Sequence, residues 1–284
     1  MNSKIIGLTD WLKTPPGAYL LAWERARFDE AVSDIFGYHA LQLGLPELDA
    51  LQDNRMPHKW LASTTVPQTS TWPLTQGSPV LPTDVTLQST VSSPRAALIT
   101  DSGALPFPES SLDLVVLPHT LELGSDPHAT LREVERVLVP EGRVVISGFN
   151  PTSLWGFRQR RGHVYQRWGY DALFLPETGE FIGYWRLRDW LRLLNFEVES
   201  GRFGCYRPAL TSQAWIDRFE WMDSAGQRWW PILGAVYFLV AVKRVRGVRL
   251  LEPAWKTRKT PATASAAVAN KKPVAKEPVI GSRW

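Results

Sequence analysis

Residues 96–147 carry the clearest structural signals of the sequence and read AALITDSGALPFPESSLDLVVLPHTLELGSDPHATLREVERVLVPEGRVVIS. Residues 112–117 are almost continuously apolar, which predicts a strand buried on both faces. Asp126 followed by Pro127 is a typical helix start, and the next turns carry one apolar stripe opposite charged side chains. Residues 140–142 predict a turn, and residues 143–147 predict the next strand. Strand, helix and strand with short connections indicate a right-handed crossover in a parallel sheet.

Further elements are expected on both sides of this unit. Thr14 before Pro15 predicts the cap of a helix over residues 15–36. Strands are expected at residues 39–44, 59–64, 96–100, 196–203 and 236–243, helices at 186–195 and 213–222, and mostly loop at 67–94. The pattern predicts an α/β fold, an open and mostly parallel sheet with helices on both faces. Such sheets bind ligands beyond the carboxyl ends of their strands.

The composition argues against a disulfide-stabilised protein, a cysteine-rich metal protein and a membrane-spanning helix. The chain has 284 residues, 44% hydrophobic and 21% charged, with one cysteine. One thiol forms no internal disulfide and no cysteine-rich metal site, so we expect no metal and a reducing compartment, the cytoplasm. The longest apolar run covers only residues 232–242, whereas a membrane-spanning helix needs about 20 residues.

Positive charge is concentrated at the carboxyl end. Residues 251–284 contain seven Lys or Arg and two Glu, a charge of +5, so the total of +4 leaves −1 for residues 1–250. The end segment lacks apolar periodicity, which predicts a domain over 1–250 and a disordered basic tail over 251–284. The tail is expected to be a solvated segment or, alternatively, a non-specific nucleic-acid arm.

Several motifs in order resemble one enzyme family. Residues 101–115 place an Asp after a strand, then Leu105-Pro106-Phe107, then Leu112-Asp113-Leu114-Val115. This order resembles the class I S-adenosylmethionine-dependent methyltransferases of the type 11 group. Residues 119–121, 146–151 and 189–198 look like the YafS-like bacterial methyltransferases. The resemblance covers residues 96–150 clearly, and residues 15–44 and 183–243 more weakly.

The resemblance implies a Rossmann-like fold, S-adenosylmethionine as cofactor, and methyl transfer to a small or apolar acceptor molecule. The cofactor contacts that it implies are Gln42, Gly44, Asp101, Ser102, Pro118 and His119. Asp101 would accept a hydrogen bond from the adenine amino group, or it would only form an Asx turn. His119 would act at the methyl end as the base for an acceptor hydroxyl, or it would be structural.

Two positions depart from the family pattern in the first cofactor loop. Gln42 stands where the family has an acidic residue, and Pro46 stands at the second glycine position. Proline has no amide donor and a fixed φ. The alternative function is therefore a catalytically silent, methyltransferase-like binding or scaffold protein.

Other residues have two interpretations each. The fourteen tryptophans are expected in the core or, alternatively, around an apolar substrate pocket or at a membrane surface. Arg158, Arg160 and Arg161, with Trp155 and Trp168 as flat walls, would hold an anionic substrate or belong to a solvated loop. Asp113 is expected to bind backbone amides at the end of the sheet.

Overall fold

Seven strands form one sheet in the computed structural model, which describes residues 7–63, 98–166, 174–176 and 181–245. The strands are β1 (His39–Leu43), β2 (His58–Ser63), β3 (Leu98–Ile99), β4 (Leu112–Pro118), β5 (Leu138–Phe149), β6 (Phe196–Gly204) and β7 (Val236–Lys243). Their order across the sheet is β3-β2-β1-β4-β5-β7-β6. Only β7 runs antiparallel to its neighbours, β5 and β6, and every other pair is parallel. The predicted α/β fold with a mostly parallel sheet is confirmed.

Helices cover both faces of this sheet. They are α1 (Leu8–Leu12), α2 (Pro15–Ser33), α3 (Thr120–Leu123), α4 (Pro127–Val137), α5 (Leu154–Gln166), α6 (Tyr184–Leu193), α7 (Gln213–Arg218) and α8 (Trp221–Trp229), followed by a 3₁₀ turn (Pro231–Leu233). Alternate residues of β4 enter two separate apolar clusters. Leu114 and Val116 pack with α1 and α2, whereas Val115 and Leu117 pack with α4 and α6. None of the described helices is both long and apolar enough to cross a membrane.

Both predicted helix starts are confirmed. Thr14 accepts a hydrogen bond from the amide of Gly17, and Asp126 accepts from the amides of His128 and Ala129. Asp113 also takes its expected place: its Oδ2 atom accepts from the amides of Tyr38 at 2.8 Å and His39 at 2.9 Å. This carboxylate thus fixes the start of β1 beside β4.

Four details differ from the sequence prediction. The turn expected at 140–142 lies inside β5, where Glu141 has a φ of +66° and the β4–β5 register shifts. The single helix expected at 213–222 is divided into α7 and α8. Neither α1 nor α5 was expected, since α1 has only five residues and α5 contains two glycines and exposes apolar side chains. The predicted loop at 67–94, Trp168 and the predicted tail lie outside the described residues.

The connection between β1 and β2 has an unusual form. Parallel neighbours are usually joined through a helix. Residues 44–57 contain turns and no helix, and they bury Leu48, Ala50, Leu51 and Met56 against the α2 side of the sheet. The connection begins at the carboxyl end of β1, which is the edge of the sheet where a ligand is expected.

Candidate active site

The carboxyl ends of the parallel strands meet around a small cavity of ≈ 40 Å³. Its lining comes from the ends of β1, β2 and β3 and from α3: Leu43, Gly44, Ala62, Ser63, Thr100, Ser102, Thr120, Leu123 and Gly124. The volume suits a few water molecules and is smaller than a nucleoside. Three predicted cofactor residues, Gly44, Asp101 and Ser102, lie at or beside this cavity.

Gly44 packs closely against the start of α3. Its φ is +75°, a conformation that glycine adopts without strain. A Cβ atom at this position would lie 3.3 Å from Oγ1 of Thr120. The Thr120 hydroxyl donates to the carbonyl of Leu43, so the first loop and α3 are held together.

Gln42 organises the loop that follows β1. Its side chain is buried, and its Nε2 atom donates to the carbonyls of Gly44 at 3.3 Å, Leu45 at 3.1 Å and Leu48 at 2.6 Å. Its Oε1 atom accepts from the amide of Ala50 at 2.9 Å. Both polar atoms of the amide are therefore used inside the loop, and a cofactor contact from Gln42 stays a prediction.

Asp101 follows β3 and is exposed, while Ser102 beside it is buried. The Oδ1 atom of Asp101 accepts from the amide of Gly103 at 3.0 Å, an Asx turn. The Oγ atom of Ser102 lies 2.9 Å from Oγ1 of Thr130 on α4. The turn orients Asp101 and leaves its carboxylate exposed to solvent, where a ligand can reach it.

Two residues of α4 clamp the Leu105-Pro106-Phe107 segment. Oε1 of Glu133 accepts from the amide of Leu105 at 2.8 Å, and Nη2 of Arg136 donates to the carbonyls of Leu105 at 3.2 Å and Phe107 at 2.9 Å. Arg136 also pairs with Glu133 at 2.6 Å, and this hydrogen bond holds the pKa of Glu133 below its usual range. The segment that carries the family resemblance is thus fixed by a helix further along the chain.

His119 lies fully buried between two carboxylates. Its Nδ1 atom lies 2.9 Å from Oε2 of Glu122, and its Nε2 atom lies 3.0 Å from Oε1 of Glu24 on α2. The contact with Glu24 is a close ion pair. Neither oxygen of the Glu24 carboxylate has the geometry of a hydrogen bond. Glu122 also accepts from the amide of Phe149, whose ring packs 4.4 Å from the imidazole. We call Glu24, His119 and Glu122 the buried triad.

The buried triad favours a protonated imidazole. Burial alone would lower the pKa of His119, but the charge of Glu24 and the hydrogen bond to Glu122 outweigh it and raise the pKa to about 10. Burial raises the pKa of Glu122, and the nearby imidazolium opposes that change. The raised pKa favours the protonated imidazole at neutral pH, and the base role of His119 stays a prediction.

The structure divides the predicted residues into two groups. Gly44, Asp101 and Ser102 lie near the cavity, whereas Pro118, the last residue of β4, is buried beside His119. Sequence reasoning missed Glu24, Glu122 and Thr120. A signal for Glu24 was present, because it interrupts the buried stripe of α2 between Leu20 and Phe28 at four-residue spacing.

One arginine of the predicted cluster on α5 packs against neighbouring segments. The Arg158 side chain lies over the ring of Phe174, 4.7 Å from its centroid, and donates to the carbonyl of Ala209. Trp155 is buried and its indole donates to the carbonyl of Arg207 at 2.7 Å. Arg158 and Trp155 thus fasten α5 to the segment before α7, and an anion site at these residues stays a prediction.

Comparison with known proteins agrees with this architecture. A methyltransferase domain family model matches residues 83–146. The uncharacterized protein YafS of Escherichia coli is 43% identical over 94 residues, which span 33% of this chain and 36% of YafS. A malonyl-[acyl-carrier protein] O-methyltransferase of Halorhodospira halophila is 40% identical over 58 residues, 20% of each chain. The matched residues therefore span only about a third or less of the length of these curated relatives.

Solved structures give lower similarity over more of the chain. A methyltransferase bound to the Trm112 activator of Haloferax volcanii is 16% identical, with a TM-score of 0.49, over 84% of this chain and 96% of that one. An S-adenosylmethionine-dependent methyltransferase of Archaeoglobus fulgidus is 14% identical, with a TM-score of 0.49, over 78% and 94%. The strand order and the matched domain, rather than these alignments, support the fold assignment. Residues 83–146 are thus similar to the methyltransferase domain family, within an α/β fold whose sheet is mostly parallel.

Proposed function

We propose that the protein transfers a methyl group from S-adenosylmethionine to a small or apolar acceptor molecule. The supporting observation is that residues of the family match lie at the edge of the sheet where a ligand is expected. The family match over residues 83–146 includes Asp101, Ser102 and the clamped 105–107 segment. Asp101 and Ser102 follow the carboxyl end of β3, at the edge where open parallel sheets bind ligands, and the 105–107 segment leads from there back to the start of β4.

The residues at this edge fit the cofactor in their chemistry. The exposed carboxylate of Asp101 is an acceptor suited to an adenine amino group, and Gly44 leaves the backbone after β1 free of a side chain. Ser102 and Thr120 add hydroxyl groups beside the cavity. The cavity is smaller than a nucleoside, so we expect the contact between Gly44 and Thr120 to widen when the cofactor binds.

His119 is assigned a positioning role within this proposal. The cofactor supplies a methyl group on an already reactive sulfonium, so alignment with the acceptor contributes much of the rate. The base role of His119 requires a neutral imidazole, which forms only as the pH approaches about 10. The charged imidazole instead fixes the start of α3 to α2 through Glu24, below the cavity.

Calorimetry on the full chain tests the proposal directly. S-adenosylmethionine and its demethylated product are each titrated into the protein, and both are expected to bind saturably at one site. Absence of binding to either compound would support the alternative, a silent binding or scaffold protein. Binding of both would leave the acceptor to be found among small and apolar compounds by transfer of a labelled methyl group.

The remaining sequence predictions become part of the proposal. We infer a domain over residues 1–250 and a separate basic tail over 251–284, on the charge distribution of the sequence. A cytoplasmic location is inferred from the single cysteine, Cys205, which is a buried free thiol.

A further inference from the structure

The connection from β6 to β7 lies at the carboxyl edge of the sheet, because the last residues of β6 and of β5 both pair with the first residue of β7. Both ends of this connection are fixed to the domain. The carbonyl of Ala209 accepts from Arg158 on α5, and the carbonyl of Ile232 accepts from Nδ2 of Asn150 at 2.7 Å. Residues 210–231 between these ends contain α7 and α8, and we call them the α7–α8 segment.

The α7–α8 segment contributes little to the core. Of residues 210–231, all of which the structure describes, only Ile216 and Gly226 are buried. None of these described residues belongs to either apolar cluster of the sheet. Segments with few buried apolar contacts open at a lower free energy than the core strands and helices do. The segment is therefore held to the domain by particular contacts more than by apolar packing.

The carboxylate of Asp223 on α8 supplies such contacts. Its Oδ1 atom accepts from the hydroxyl of Tyr19 on α2 and from the amide of Tyr206 at 3.2 Å. Its Oδ2 atom accepts from Nε of Arg207 at 2.9 Å, and the Arg207 guanidinium lies 4.4 Å from the centroid of the Tyr19 ring. Asp223 thus joins the α7–α8 segment both to α2 and to the fixed residues that follow β6.

Further attachments of the α7–α8 segment converge on the same two fixed residues. Nη1 of Arg207 donates to the carbonyl of Ile216 at 3.3 Å, and the Tyr206 hydroxyl donates to the carbonyl of Pro231 at 2.8 Å. The backbone of Gly226 packs on the Tyr206 ring, since a Cβ atom there would lie 2.3 Å from Cγ of that ring. The segment is thus attached by directional contacts at one place.

We propose that the α7–α8 segment is a lid at the carboxyl edge and that Asp223 is the latch that holds it shut. Lids of this kind sequester a reaction from water and commit the substrate to the site. The ring of Trp155 lies 6.4 Å from that of Tyr19, and its indole donates to the carbonyl of Arg207, so an open lid uncovers apolar surface beside the end of β5. Entry of an apolar acceptor there rests on the proposed function, whereas the movement of the lid does not.

Cys205 is a natural reporter of this movement, because it is the only cysteine of the chain and is buried directly before Tyr206 and Arg207. Burial and the nearby carboxylates of Glu24 and Asp223 raise the pKa of its thiol, while the neighbouring Tyr19 hydroxyl lowers it. The thiol therefore lies close to the latch, and it stays protonated and unreactive while the lid is shut.

Labelling of Cys205 in the full chain with dithionitrobenzoate tests the proposal. The labelling rate is measured from urea-free buffer up to the unfolding transition. Opening of a lid exposes little surface, so we expect a rate that hardly changes at low urea and rises steeply only near the transition. A rate that follows the full urea dependence of global unfolding from the start would overturn the proposal, because the thiol would then be reached only through the unfolded chain.

Two variants break the latch from its two sides. Asp223→Asn removes the charge that binds Arg207, and Tyr19→Phe removes the hydroxyl donor. Each is expected to raise the labelling rate at low urea at least about tenfold, since a hydrogen bond to a charged group is lost. The raised rate should stay nearly independent of urea. The matched control is Asp217→Asn, an exposed carboxylate on α7, which should label as the parent does.

The variants also supply results that would overturn the proposal. An unchanged labelling rate in both latch variants would mean that other contacts hold the α7–α8 segment. A raised rate that follows global unfolding would assign Asp223 to overall stability. Circular dichroism shows whether each variant is folded, and if Asp223→Asn is not, Tyr19→Phe and the urea dependence of the parent decide. The labelling involves no cofactor, so a failure of methyl transfer and a failure of the lid are distinguishable.

Discussion

Oε1 of Glu24 lies 3.0 Å from Nε2 of His119, and both side chains are fully buried. The contact joins α2, before the first strand, to the residue that follows β4. His119 itself has a φ of +53°, so the chain turns sharply there into α3. A charged pair inside the protein thus fixes the backbone directly below the candidate active site.

The first prediction concerns the strength of this pair. Glu24→Gln keeps the shape of the side chain and removes its charge, leaving a buried imidazolium with one carboxylate. Loss of one partner of a buried pair typically lowers the free energy of unfolding by about 3–5 kcal/mol. Urea unfolding at pH 6 measures this loss. Glu30→Gln, on the exposed side of α2, is the matched control and should cost at most about 1 kcal/mol.

The same pair predicts a pH dependence. The folded pKa of His119, about 10, lies above the ordinary value of 6.5. The contribution of the Glu24–His119 pair to the free energy of unfolding is therefore complete below about pH 6.5 and is lost as the pH rises toward 10. The difference in unfolding free energy between the parent and Glu24→Gln should shrink over that range. A difference that stays constant from pH 6 to 10 would show that the imidazole is neutral in the folded protein.

The next prediction concerns Gln42, which stands where the family has an acidic residue. Gln42→Glu would place a carboxylate against the carbonyls of Gly44, Leu45 and Leu48 in place of a donor. We expect a loss of about 3 kcal/mol of stability and no gain in affinity for S-adenosylmethionine. Thermal melting and calorimetry measure the two effects. The exposed Gln52→Glu in the same connection serves as control, and tighter cofactor binding at unchanged stability would contradict the structural role of Gln42.

Asp101 carries the most specific prediction about the cofactor. Asp101→Ala should weaken binding of S-adenosylmethionine by about 1.5–3 kcal/mol, the usual contribution of a hydrogen bond to a charged group. Asp101→Asn should cost the same or less. The melting temperature should hardly change, since the side chain is exposed and accepts a local hydrogen bond from the amide of Gly103. Glu109→Ala, an exposed carboxylate in the same segment, should bind as the parent does, and equal affinity in Asp101→Ala would remove the adenine contact from the proposal.

Local signals predicted most of the fold. Asp126 and Thr14 mark helix starts because a side-chain oxygen satisfies amides that a helix leaves unpaired. Residues 112–117 predict a buried strand because almost no polar residue interrupts them. The antiparallel insertion of β7 between β5 and β6 has no such signal, since strand direction depends on tertiary pairing.

The site was harder to predict than the fold. Asp101 and Ser102 follow a strand, so topology alone brings them to the ligand edge. The environment of His119 depends on Glu24, which lies 95 positions earlier in the chain and meets it only after α2 packs on the sheet. The structural role of Gln42 could not be predicted from the sequence either, because its four hydrogen bonds form only when residues 44–50 turn back over β1.

The basic tail gives a prediction of its own. Removal of residues 256–284 should leave the melting temperature of the remaining chain nearly unchanged, because the segment has no apolar pattern that would anchor it to a core. Calorimetric melting of the truncated and full chains makes the comparison. A large drop in melting temperature would mean that the tail is docked on the domain.

The last prediction tests the clamp on the 105–107 segment. Arg136→Met keeps an apolar stem on α4 and removes the donors to the carbonyls of Leu105 and Phe107. We expect a loss of about 1–2 kcal/mol in stability, because the guanidinium is partly exposed and its charge is screened. The Leu105 amide should exchange its hydrogen faster, since Glu133 loses the cation that orients its carboxylate.

Arg132→Met is the matched control for that measurement, because Arg132 is exposed on the same helix. It should leave exchange at Leu105 and the stability unchanged. If the clamp also shapes the cofactor edge, Arg136→Met should weaken binding of S-adenosylmethionine while Arg132→Met does not, since Asp101 begins the segment that the clamp holds. Unchanged exchange at Leu105 in Arg136→Met would mean that Glu133 alone fixes this segment.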